Sequence, residues 1–121
     1  MPCSYCFEED ILKYSATGEY PSQELYEMIE ESFHDSRFAN GIKILIDVTK
    51  SIKSITSENA RTFANYLKSK NEFLGSKIAI TVSKTANYGL GRMVSAFAED
   101  IDLQVSVFYN PDAAKKWLNY S

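Results

Sequence analysis

Residues 42–48 read Ile-Lys-Ile-Leu-Ile-Asp-Val, and residues 77–82 read Lys-Ile-Ala-Ile-Thr-Val. Both stretches have strand length, and both are rich in β-branched residues whose stiff χ1 torsions suit a pleated backbone. In the first, apolar side chains occupy both alternating sets of positions, as expected of a central strand covered on its two faces. The segment between them contains a polar loop and then Ser57–Ser69, where Ala60, Phe63, Ala64 and Leu67 recur at helical spacing behind a Thr56 or Ser57 cap. A strand, a helix and a second strand, in that order, predict a parallel pair joined by a right-handed crossover.

Reading outward toward the N-terminus, Asn40-Gly41 marks a turn, and residues 22–36 form an amphipathic helix. Leu25, Met28, Ile29, Ser32 and Phe33 make its inner stripe, and Glu24, Glu27, Glu30 and Glu31 its outer face. Ahead of it, Tyr5–Glu8 and the period-two stretch Ile11–Thr17 read as a β-hairpin stopped at Gly18. Reading toward the C-terminus, residues 86–99 predict a helix with Leu90, Met93, Val94 and Phe97 as its stripe, despite Gly89 and Gly91. Leu103–Tyr109 predicts a strand. Asn110-Pro111-Asp112 then supplies a cap, a proline at the first helical position and a first-turn acid, opening a last helix that buries Ala114, Trp117 and Leu118. The expected order is β-β-α-β-α-β-α-β-α. This is a single α/β domain over residues 1–121, with a mixed, mostly parallel sheet, an N-terminal hairpin and helices packed on it.

Composition limits the function classes. The chain has 121 residues, 45% of them hydrophobic and 13% aromatic, enough for a core without a disulfide or metal staple. The net charge of −3 argues against a general nucleic-acid binder. No apolar run is long enough to span a bilayer, and the opening MPCSYCFEED has no basic and apolar leader pattern, so a cytoplasmic domain is expected. Charge is unevenly distributed. Residues 1–35 carry nine acids and one base, whereas residues 36–121 carry seven acids and twelve bases. Such an imbalance suits a solvated surface, or electrostatic steering of a protein partner or a second copy.

Catalytic signals are few. Cys3-Ser4-Tyr5-Cys6 has C-x-x-C spacing, but no helix follows it to lower a thiol pKa, and with His34 as the only histidine a four-ligand zinc site is out of reach. No carboxylate pair, carboxylate–histidine pair or phosphate-binding glycine loop is present, so neither catalytic residues nor a cofactor or metal are expected. In parallel sheets, ligands sit beyond the carboxyl ends of the strands. That rule selects Asp47, Ser57, Asn87 and Asn110 as the polar groups placed to line a site. Tyr88 and Arg92 join them at the start of the 86–99 helix, where free backbone N–H groups and a guanidinium favour an anion.

The C-terminal half, KIAITVSKTANYGLGRMVSAFAED followed by LQVSVFYNPDAAKKWL, resembles the SpoIIAA-like branch of the STAS domain superfamily. Tyr88, Gly89, Arg92, Met93, Phe108, Ala114, Trp117 and Leu118 carry the resemblance, and the hairpin, first helix and Leu-Ile-Asp-Val-Thr strand agree with it. It implies a compact STAS-like α/β fold, a small cytosolic bacterial protein and no established enzymatic activity. Anti-anti-sigma members of that superfamily are switched by phosphorylation of a serine that opens the helix after the Asp-containing strand. The corresponding position here is Ser57, in Ile55-Thr56-Ser57-Glu58, without the preceding acid and following glycine of that motif.

The resulting expectation is a non-enzymatic binding or regulatory domain that contacts a protein partner or small ligand through helix N-termini. The alternative is a carrier of a lipid or other apolar small molecule, its cavity lined by some of the seven Phe and eight Tyr. The edge strand Tyr5–Glu8 also offers unpaired backbone for a homodimer.

Overall fold

A computed structural model describes residues 3–8, 10–18, 22–51, 57–70, 77–82 and 104–119. Within them lie β1 (Cys3–Glu8), β2 (Ile11–Gly18), α1 (Ser22–Phe33), β3 (Lys43–Ser51), α2 (Ser57–Ser69), β4 (Lys77–Thr81), β5 (Gln104–Phe108) and α3 (Pro111–Asn119). The five strands lie in sequence order across one sheet. β1 is antiparallel to β2, and β2 through β5 are mutually parallel. The mixed, mostly parallel sheet read from the sequence is therefore present. The helix expected over residues 86–99 lies outside the described residues.

Side-chain alternation divides the sheet into two faces. One presents Leu12, Tyr14, Ile44, Ile46, Ile78 and Ile80, all buried against Met28 and Ile29 of α1 and Leu67 of α2. Sequential order with right-handed crossovers sends both crossover helices to this side. The other face presents Ile11, Leu45 and Ala79 to Ala114 and Leu118 of α3. The last described helix, α3, packs on this second face through Ala114 and Leu118. At the far end of α3, Lys77 Nζ donates to the Trp117 carbonyl at 3.2 Å and lies 5.1 Å from its ring centre, a cation placed at the negative helix end.

Local boundaries differ from expectation in two informative places. α1 stops at Phe33, short of Ser36. The Asp35 carboxylate accepts the Arg37 backbone N–H at 2.9 Å, an Asx-type turn that competes with helix continuation. β3 runs on to Ser51 instead of ending near Asp47, and its pairing with β2 slips: Ser15 stands opposite Asp47, but Thr17 stands opposite Lys50. One extra residue is thus inserted in β3, a β-bulge between Asp47 and Lys50.

The buried polar groups are satisfied locally. Ser32, fully buried in the inner stripe of α1, donates to the Ile29 carbonyl at 2.6 Å, so the 2.6 Å contact between Tyr14 Oη and Ser32 Oγ has the tyrosine as donor. Between the helices, Tyr66 Oη donates to Glu30 at 2.9 Å, and Lys70 pairs with the same carboxylate at 2.7 Å. Part of the acidic N-terminal segment is thereby neutralised by the basic middle segment inside one molecule.

Candidate functional site

The bulge builds an organised polar cluster at the carboxyl-end side of the sheet. Asp47 Oδ1 accepts three hydrogen bonds: from the Thr49 backbone N–H at 3.0 Å, from Thr49 Oγ1 at 2.7 Å and from Thr81 Oγ1 at 3.0 Å. The extra residue of β3 turns the Thr49 amide onto the carboxylate, and the parallel register Asp47–Thr81 brings the second hydroxyl from the neighbouring strand. Thr81 is fully buried, while Asp47 is partly buried. Asp47 Oδ2 has no hydrogen-bond partner among the described residues.

The electrostatics favour an ionised carboxylate. Partial burial pushes the Asp47 pKa up, but the hydrogen bonds from Thr49 and Thr81, with the Lys13 charge on β2, outweigh it and hold the group below its ordinary value. Register places Ser4, Ser15, Asp47, Thr81 and Phe108 in one row across the sheet. The row lies on the α3 face toward the carboxyl ends of the parallel strands, the location where open α/β sheets bind ligands.

The other predicted site residues divide into three groups. Asn110 sits beyond Phe108 at the same end of the sheet, but its Oδ1 accepts the Asp112 backbone N–H at 2.7 Å and its carbonyl the Ala114 N–H at 3.1 Å. It is the N-cap of α3, and that role engages its side-chain oxygen. Ser57 is the first residue of α2, as the sequence placed it, and only its backbone position is described. Asn87, Tyr88 and Arg92 lie outside the described residues. Thr49 and Thr81 are functional candidates that the sequence reading did not single out. Both pass for ordinary strand formers, and only the Asp-x-Thr spacing at the end of β3 hints at a side chain folded back onto the backbone.

The cysteines do not form a chemical pair. Three residues apart on a strand, Cys3 and Cys6 occupy opposite faces; Cys3 is buried and Cys6 exposed, with no disulfide. Desolvation and the neighbouring Glu8 carboxylate push the Cys6 thiol up, away from the thiolate that redox chemistry needs. Among the described residues no group of three or more His, Cys, Asp or Glu side chains is placed to hold a metal ion, and no helix is long and apolar enough to cross a membrane.

Ten of the described aromatic residues are engaged with one another. Tyr5, Phe7 and Tyr14 form edge-to-face contacts over β1 and β2, Phe33 meets Phe38, and Tyr26 packs on Phe63 and Tyr66 between α1 and α2. Phe108 meets Trp117 beneath α3. These rings fill the layers between helices and sheet.

No family model and no curated protein matches the chain. Among solved structures it is similar to an uncharacterized protein of the DUF3478 family from Shewanella loihica PV-4, described as having a SpoIIAA-like fold. The two share 16% sequence identity at a TM-score of 0.63, over 96% of this chain and 91% of that one. The sheet order, the helix placement and this likeness together identify the architecture of the chain as a SpoIIAA-like fold.

Proposed function

We propose that the protein is a non-enzymatic binding or regulatory domain whose recognition surface is the carboxyl end of the parallel strands, centred on Asp47. The observation that carries this reading is the bulge in β3. Together with the β3–β4 register it gathers three donors onto one carboxylate oxygen, favours the charged form, and leaves Oδ2 with no acceptor role among the described residues. A fixed, ionised acceptor at a bulge, level with the end of β4, suits recognition of a donor group, such as an amine, guanidinium or hydroxyl, on a protein partner or small ligand. The cluster has no neighbouring histidine, paired carboxylate or activated nucleophile among the described residues, which favours binding over catalysis. Segments after Asp47 and after Val82, with Asn87, Tyr88 and Arg92, complete the proposed surface.

The test is quantitative capture from extracts of the native host with wild-type protein and Asp47→Asn, which keeps an oxygen for the three donors but removes the charge. A partner retained by the wild type and released by Asp47→Asn supports the surface; equal retention contradicts it. Ser57→Ala examines the phosphoswitch separately, and unchanged capture by it contradicts switching through that serine. A lipid-carrier role competes with this reading. The mutual ring packing disfavours that role, and native mass spectrometry of freshly purified protein decides it by the presence or absence of co-purifying lipid.

A further inference from the structure

The β1 edge of the sheet carries a self-complementary pattern. Among the described strands β1 pairs with β2 alone, in unbroken register, so from Ser4 to Glu8 its other side has no ladder partner among those strands. Natural edge strands are commonly blunted by a proline, a bulge or very short length; β1 has six residues, Cys3–Glu8, and none of these devices. On the α1 face of β1, each of two rings has a charged neighbour. Tyr5 Oη donates to Asp35 Oδ2 at 3.0 Å, and the Arg37 guanidinium lies 4.6 Å from the centre of the Phe7 ring. Arg37 also grips Asp35 through Nε at 3.0 Å and Nη2 at 2.9 Å, with 62% of its side chain exposed. On the opposite face the strand presents only the small exposed residues Ser4 and Cys6 before Glu8.

We infer that a second copy of this chain pairs antiparallel along the outer edge of β1, about a two-fold axis through Cys6, to make one continuous sheet across the dimer. Charge selects this register. Partners on one face of an antiparallel pair stand directly opposite. Centring the axis on Cys6 therefore sets Tyr5, with its Asp35, opposite the partner's Phe7, with the partner's Arg37, and the reverse on the other side of the axis. Each acid then meets a base, and the contact is isologous as two-fold symmetry requires. Centring on Tyr5 would bring Asp35 against the partner's Asp35, and centring on Phe7 would bring Arg37 against the partner's Arg37. Both registers juxtapose like charges. Ser4 and Cys6 leave no bulk in the way on the other face.

Sedimentation equilibrium of the full chain tests the proposal. Wild type should be dimeric. Arg37→Glu, which turns both charge pairs into like-charge contacts, should raise the dissociation constant about tenfold or more. Cys6→Lys puts two cations at the axis on the opposite face and should do the same without touching the 34–38 turn, so it serves if Arg37→Glu fails to fold by circular dichroism. A short bis-maleimide should link two wild-type chains through Cys6 and link none in Cys6→Ser, which should remain dimeric. Monomeric wild-type protein overturns the proposal. So does a dimer unaffected by both charged variants, or one that the bis-maleimide does not link.

Discussion

On the face under α1 and α2 the strands present Leu12, Tyr14, Ile44, Ile46, Ile78 and Ile80. On the face under α3 the same strands present Ile11, Leu45 and Ala79, then Lys13, Ser15, Asp47 and Thr81. The first is filled by large side chains from both layers and carries most of the burial. The second has a narrow apolar band, made of small residues where Ala79 and Ala114 allow close approach of the helix, and a polar remainder. Large side chains fill the first layer, while among the described residues the second is covered by α3 and carries the polar row around Asp47. On the proposed function, stability and binding separate by face, and substitutions should divide accordingly.

The largest effect is expected in the first layer. Leu12 is fully buried between β1, β3 and the helices, and Leu12→Ala should cost about 3 kcal/mol through lost transfer energy and a residual cavity, read from the urea midpoint. Under α3 the sensitivity reverses. Ala79 is fully buried beside Ala114, so Ala79→Leu, an enlargement, should cost about 2 kcal/mol by overpacking. If it were tolerated freely, the second layer would be looser than described. Tyr14→Phe removes the donor to Ser32 and leaves the serine its bond to the Ile29 carbonyl, for a loss of about 1 kcal/mol in the same assay.

Acid sensitivity sharpens the contrast further. Lys115, hydrogen-bonded to Glu8, Lys70, hydrogen-bonded to Glu30, and the Arg37 guanidinium on Asp35 hold these three carboxyls below their usual values; Asp47 is held low against partial burial by its threonines. A carboxyl depressed in the folded state contributes stability above the unfolded pKa, about 4, and loses it as pH falls through the folded pKa. Thermal midpoints should therefore fall below about pH 4, and Asp47→Asn should show a shallower acid limb than wild type. The smallest effect belongs to Cys6→Ser, on the exposed side of β1, which should change monomer stability by less than about 0.5 kcal/mol.

The fold was legible because its signals are strong. Two strand-length apolar runs flank a helix, α1 and α2 carry clear stripes, and Asn110-Pro111-Asp112 opens α3 with the cap observed. The end of α1 was less legible, since an Asp35 side chain that captures a backbone N–H leaves no trace in hydrophobic periodicity. At the site, Asp47 could be singled out as a polar residue closing an apolar run, although β3 continues past it to Ser51. Its partners could not, because a bulge does not alter composition and Thr49 and Thr81 fit a strand whether or not they face a carboxylate. Their role depends on the register between β2, β3 and β4, a non-local property.

The central claim is that the bulge holds Asp47 as an ionised acceptor. A carbon-13 NMR titration of the Asp47 carboxyl, in wild type and in Thr81→Val, addresses it most directly. The account predicts a midpoint below the ordinary Asp value of about 3.9 in wild type and a clear rise in the variant. A midpoint at or above that value, unmoved by loss of the Thr81 hydroxyl, would contradict it.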